Sequence, residues 1–253
     1  TELAITEAAK RARQFGLGAI ALQRSHHIAC LAAFLERPAR DGLVVLVFSS
    51  DPAESRVVPF GAVTPVLMPD PVAIGIPGSP DPVLIDISTS ITTMGLTNRT
   101  KREGGRMPGK WLIDAKGNPT DDPKAIDEGG ALLPVGGIDH GHKGFGLGLW
   151  VEMLTQGLSG YGRADAPKEW GAAVLVQVFD PVAFGGLDGF LRQADFIAKA
   201  CRDATPVSAA APVRLPGQAG LAKKSRALRD GAPLSPRILQ GLEALARKSG
   251  LVL

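Results

Sequence analysis

Apolar residues recur with helical spacing in some stretches of this chain and gather into short unbroken runs in others, and the order of the two patterns predicts its elements. In TELAITEAAKRARQFG (1–16), Leu3, Ile5, Ala8, Ala9, Ala12 and Phe15 share one helical face, Thr1 or Glu2 supplies a cap, and Gly16 ends the helix. LGAIALQ (17–23) and GLVVLVFSS (42–50) have the unbroken apolar character of buried strands. Between them IACLAAFLER predicts a second helix from Ile28, stopped by Pro38. VAIGIP and PVLIDIS, set among prolines, predict strands joined by rigid turns, and WLIDAKGNP predicts a small hairpin about Lys116, Gly117 and Asn118. Helical spacing returns at Leu147, Trp150, Val151, Leu154 and Leu158; AAVLVQVFDP (172–181) reads as a strand and FLRQADFIAKACRD (190–203) as a helix. After a linker-like tract, ATPVSAAAPVRLPGQAG (204–220), Ser235 and Pro236 open a last helix expected to bury Ile238, Leu239, Leu242 and Leu245. Helix, strand, helix, strand is the opening of an α/β fold.

Composition narrows what such a fold does. A chain of 253 residues that is 45% apolar and 21% charged supports one large domain or two small ones with a real core. Its net charge of +3 is small and the charges are interleaved, so no nucleic-acid footprint is present. Cys30 and Cys201 are far apart and form no CxxC pair, which points away from a zinc knuckle or disulfide framework and toward a reducing cytoplasm. No apolar run has the length of a membrane span, and the N-terminal stretch is amphipathic rather than a signal peptide, so a soluble protein is expected.

The chemistry-bearing stretch is PVGGIDHGHKGFGLGL (134–149), with six glycines, two histidines and a lysine just before a helical pattern. Its N–H groups can converge on an anion, with Lys143 as a point charge at the mouth. It is neither a Walker A loop nor a Rossmann fingerprint. The plainer reading is a turn whose glycines let a helix pack closely. His140 and His142 could chelate a metal, but a catalytic zinc needs a third protein ligand, so no metal is expected and solvated loop histidines or a ligand hydrogen bond are preferred. His26 and His27 follow a strand, where α/β sheets place reactive groups; the alternative is an ordinary loop pair capping the next helix. Asp86 also ends a strand, with capping of the following segment as its plain role.

Taken together, RSHH (24–27), FSSDPAESRVVPFGA (48–62), DPVAIGIP (70–77), PVLIDISTS (82–90), WLIDAKGNPTDDP (111–123), LLPVGG (132–137), HKGFGLGL (142–149) and VRLPGQ (213–218) resemble the malate/L-lactate dehydrogenase family, whose members include ureidoglycolate dehydrogenase and cyclic imino-acid reductases. The resemblance covers nearly the whole chain. It implies an α/β fold with a mixed, largely antiparallel sheet core flanked by helices, a non-Rossmann architecture for NAD or NADP. The implied organisation is a substrate-side segment over 1–50, a cofactor-binding region over 51–204, and a C-terminal linker and helix over 205–253 that packs back on the first region. The implied activity is hydride transfer between NAD(P)H and a small 2-keto or 2-hydroxy acid or cyclic imino acid, in a cytoplasmic homodimer. By the family's motif His27 exchanges the proton of the alcohol oxygen, and Asp86 joins it as a catalytic residue. Ser50, Asp86, Ile87, Ser88, Lys143 and Gly144 contact the cofactor.

Two departures from the family pattern support a second reading. Family members usually begin with a segment carrying a Ser-His-Gly motif, which does not precede Thr1, and the usual Gly-Thr-Asn-Pro is Met68-Pro69-Asp70-Pro71 here. A carboxylate pointing inward at 70 would repel an acidic substrate. The alternative is therefore a non-catalytic or fragmentary relative that binds a nucleotide or a partner.

Overall fold

The computed structural model of the chain describes residues 1–251. Its elements form two compact units, Thr1–Pro216 and a second that begins at Gly217. The first unit runs α1 (Glu2–Phe15), β1 (Leu17–Ser25), a 3-10 turn (Leu31–Phe34), α2 (Glu36–Arg40), β2 (Val44–Ser50), β3 (Val72–Ile76), β4 (Val83–Ile87), α3 (Met94–Arg102), β5 (Leu112–Ile113), β6 (Pro119–Thr120), β7 (Ala131–Leu132), α4 (Gly137–Ser159), β8 (Ala172–Phe179) and α5 (Leu187–Asp203). The second holds α6 (Gln218–Asp230) and α7 (Pro236–Lys248).

The main sheet has the order β1-β8-β2-β3-β4, and each neighbouring pair is antiparallel. The expected largely antiparallel core flanked by helices is present, and a parallel bridge joins Val57 to Leu132 outside the main sheet. β8 is an interior strand between β1 and β2 and is buried on both faces, which explains its unbroken apolar run. Val174, Val176 and Val178 share the face of Gly18, against which α1 lies; Leu175 lies on the other face with Phe48 and with Val151 of α4.

Small residues set how closely the helices approach. A Cβ at Gly18 would stand 2.0 Å from the Ala8 carbonyl oxygen, so α1 rests on β1 through its alanine stripe. Ala4, Ile5, Ala8 and Ala12 are the buried positions, while Leu3 and Phe15, expected on the same face, are exposed. Pro38 does not stop a helix but sits in the first turn of α2, where no helical N–H bond is required; the predicted single helix becomes a 3-10 turn and α2, divided at Leu35. The 111–119 hairpin forms as β5 and β6, with Asp114 Oδ1 accepting from the Lys116 and Asn118 N–H groups across the turn. α6 begins inside the tract expected to be linker. Ile238, Leu239, Leu242 and Leu245 of α7, expected to be buried, are exposed.

The glycine-rich stretch is helical from Gly137, with a kink at His140, rather than a loop before a helix. Gly137, Gly141, Gly144 and Gly148 form its buried face. A Cβ at Gly144 would lie 2.3 Å from the Val135 nitrogen and 2.8 Å from the Thr89 carbonyl oxygen, and one at Gly141 would meet Phe60 and Pro134. Packing thus outweighs the poor helix propensity of glycine. Gly146 faces open space. Gly144→Ala should therefore cost about 2 kcal/mol or more by backbone overpacking, while Gly146→Ala should be neutral or stabilise by about 0.5–1 kcal/mol, both read by urea unfolding.

Candidate active site

One end of the main sheet gathers several of the residues assigned to a site from the sequence. β1 and β2 finish there, with Ser25 and Ser50 opposite Ala172 and Ala173 of β8, and β4 finishes there with Ile87 opposite Val72. A cavity of about 270 Å³ opens at this end, lined among others by His27, Ser50, Asp70, Met94 and Trp170. It suits a small acid rather than a whole dinucleotide. A larger cleft of about 670 Å³ lies between α1 and the 33–43 segment, and none of the residues assigned to the site from the sequence lines it.

His27 is exposed, its ring tilted against Trp170 at a centroid distance of 5.6 Å. The loop that carries it bends through Ala29 at φ 61, a left-handed conformation unfavourable for alanine and held by neighbouring contacts. Asp86 supplies one such contact: its Oδ2 accepts from the Ala32 N–H at 2.9 Å and from the Cys30 thiol at 3.5 Å. Asp86 therefore anchors the segment behind His27 and is not among the residues lining the cavity.

Ser50 lines the cavity, but its hydroxyl is turned to α4, 2.7 Å from Thr155 Oγ1 and accepting from Gln156 Nε2 at 3.1 Å. Gln156 Nε2 also donates to Glu152. Glu152, 8% exposed, is gripped by Arg163 through Nε to Oε2 at 2.8 Å and Nη2 to Oε1 at 2.5 Å. The same guanidinium donates to the carbonyl oxygens of Asp51 at 3.1 Å and Glu54 at 2.6 Å, so one cation ties α4 to the loop after β2. Sequence reading named neither Glu152 nor Arg163. The signal was a glutamate on the α4 face marked by Gly148, Val151 and Thr155.

Asp70 is wholly buried, with φ 38 and no hydrogen-bond partner for either carboxyl oxygen. Burial first, and then the Glu152 carboxylate, hold it well above the usual carboxylate range, against the opposite pull of Arg163 and the Met68 backbone.

The segment assigned to the cofactor meets the start of α4. Val135 N–H donates to the Thr89 oxygen at 2.8 Å, Ile91 N–H to the Leu133 oxygen at 2.9 Å, and Ser90 bridges to Pro134. Ile87 is exposed, and Ser88 Oγ turns back to the Ser90 carbonyl. Lys143 is exposed; Gly144 is buried with its N–H given to the Val135 oxygen. The exposed His140 and His142 stand with ring centroids 6.2 Å apart, and among the described residues no three His, Cys, Asp or Glu side chains converge as metal ligands. No described helix is long and apolar enough to cross a membrane.

The family model for malate/L-lactate dehydrogenase matches residues 1–243. The chain belongs to this family. It is 33% identical over 245 residues to the Delta(1)-pyrroline-2-carboxylate/Delta(1)-piperideine-2-carboxylate reductase of Pseudomonas putida, covering 93% of this chain and 68% of that protein. It is 35% identical over 218 residues to the (2R)-3-sulfolactate dehydrogenase (NADP(+)) of Chromohalobacter salexigens, covering 81% of this chain and 60% of that one. The crystal structure of delta1-piperideine-2-carboxylate reductase from Pseudomonas syringae superposes with a TM-score of 0.83 at 30% identity, over 96% of this chain and 72% of that one. The α/β architecture with its antiparallel sheet is thus the family's, and the chain spans roughly two thirds of the length of these curated relatives.

Arg163→Ala leaves a buried glutamate without its cation and frees the 51–55 loop. It should cost about 3 kcal/mol or more in chemical unfolding, beyond the value of a surface pair.

Proposed function

We propose that this chain transfers a hydride between NAD(P)H and a small 2-keto or 2-hydroxy acid or cyclic imino acid, with His27 as the proton donor and acceptor. The observation that carries the reading is His27 beside Trp170 on the wall of a small cavity, at the strand ends of a fold whose relatives are named dehydrogenases and reductases.

When bound, the nicotinamide supplies or takes up the hydride. In the reductive direction the substrate carbon gains that hydride, and its oxygen or nitrogen gains a proton from the imidazole; oxidation reverses both. Imidazole suits this task because it exchanges a proton near neutral pH. Asp86 holds the loop behind the ring through Ala32 and Cys30, and the Trp170 face limits water on one side. The groups present fit a dinucleotide: Lys143 is an exposed cation in the early turns of α4, and the start of that helix is bonded to the 89–91 backbone beyond Ile87 and Ser88. These groups would hold its anionic portion. Gly144 and Ser50 support the reading as packing residues behind that surface.

The exposed apolar side chains of Trp150, Met153 and Leu158 on α4 support a homodimer, and the free thiols of Cys30 and Cys201, both exposed, suit a cytoplasmic setting. Titration with NADH and NADPH, followed by tryptophan quenching and by the thermal midpoint, should give saturable binding and a raised midpoint. A screen of 2-keto acids and cyclic imines should then give turnover. His27→Ala should lower kcat by a factor of about 100 or more with cofactor binding kept; unchanged kcat would overturn its role. Binding without turnover would favour the nucleotide-binding relative.

A further inference from the structure

Three buried acids, Asp51, Asp70 and Glu152, come from segments at and behind the His27 cavity, and Arg163 pairs with one of them. Asp51 lies at the end of β2 with one carboxyl oxygen buried and unpartnered. Asp70 comes from the loop before β3, and Glu152 from α4, one turn beyond Gly148; a Cβ at Gly148 would stand 3.7 Å from Asp70 Oδ2. The cation is Arg163, and both its strongest bonds go to Glu152. His27 is the further titratable group on the cavity wall. α4 turns Glu152 to the same buried side on which Gly148 abuts Asp70, and the Glu152 carboxyl adds to what favours a proton on Asp70, neither of whose oxygens has a partner. Two ionised carboxylates cannot hydrogen-bond each other, because neither has a donor; a single proton turns the same contact into a strong bond.

We propose that Asp70 and Glu152 hold one proton between them, and that Asp70 is thereby a specificity-determining residue of the cavity, an uncharged acid that lets an anionic substrate approach. The proposal rests on the hydride-transfer reading for its substrate and on the buried carboxyls for its proton. Were Asp70 and Glu152 both ionised, their two charges would stand against one guanidinium in addition to Asp51 on the wall, and a substrate carboxylate would meet added repulsion little screened by water. With the proton in place, Arg163 balances Glu152, and the loop from Met68 to Pro71 presents no net charge from Asp70 to the cavity it lines.

The sign of the pH dependence follows from burial. Asp70 is raised in the folded chain, so its contribution to stability is complete below the ordinary carboxylate range and is lost as pH rises through the raised value. An ionised Asp70 would also oppose anion binding over the same upper range.

The test has three readouts on the full chain. Infrared difference spectra at neutral pH should contain the carbonyl band of a buried protonated carboxyl that is missing in Asp70→Asn; a wild-type spectrum without that band overturns the shared proton. The thermal midpoint of the wild type should fall relative to Asp70→Asn as pH rises, and parallel curves overturn it likewise. Protection of the wild type by oxalate, a minimal dicarboxylate probe, should weaken by up to about tenfold in affinity per pH unit on the same upper limb, with no such limb in Asp70→Asn. Oxalate protection that is absent, or that has the same pH profile in both proteins, overturns the specificity role. Failure of turnover with every keto acid and imine would instead count against the hydride-transfer reading and leave these three results to judge the proton.

Discussion

Helix α4 lies so close to the Thr89 carbonyl and the Val135 backbone that position 144 has no room for a side chain. Much of the site depends on that approach. It brings Val151 onto Phe48 and Leu175 on the sheet, sets Thr155 and Gln156 against Ser50, and brings Glu152 to the Arg163 that holds the loop after β2. Glycine is tolerated in these helical turns because the tertiary contact repays its conformational cost.

The polar layer under the cavity follows from the same contact. A carboxylate at 152 is costly to bury alone, and Arg163 meets it with two parallel bonds while using its remaining donors on the loop after β2. That loop and the Asp70 loop together form part of the cavity wall. The wall is thus held by a charge pair at its base and by apolar contacts around Met94 and Trp170.

Elements with strong periodicity were legible in the sequence. The runs at 44–50 and 172–179 are strands because both faces are covered, and the 111–119 hairpin follows from its Lys-Gly-Asn turn. The α1 boundaries were legible too, but not its buried face: Leu3 and Phe15 are larger than the alanines that turn inward, and only the approach to Gly18 selects the small residues. The start of α4 was hidden because six glycines read locally as a flexible loop, and the Thr89 carbonyl against which Gly144 packs is remote in sequence. For the candidate site, the position of His27 just after a strand was legible, and it lines the cavity there. Asp86 was legible as a residue but not as the anchor of Ala32, and the Glu152–Arg163 pair arises from segments joined by a turn without a motif.

The sheet order places β1 at one edge and β4 at the other, and the residues after Ser25 run from the first to meet Asp86 on the second. Four inter-strand spacings amount to about 19 Å, while the seven residues from Ser25 to Ala32 reach at most about 25 Å when fully extended. The His27 loop is thus a strap across the end of the sheet, bent at Ala29, and the ring's location is gauged by the width and twist of all five strands. A strap anchored to both edges couples the ring to each of them, so a change in the width or twist of the sheet is felt at His27.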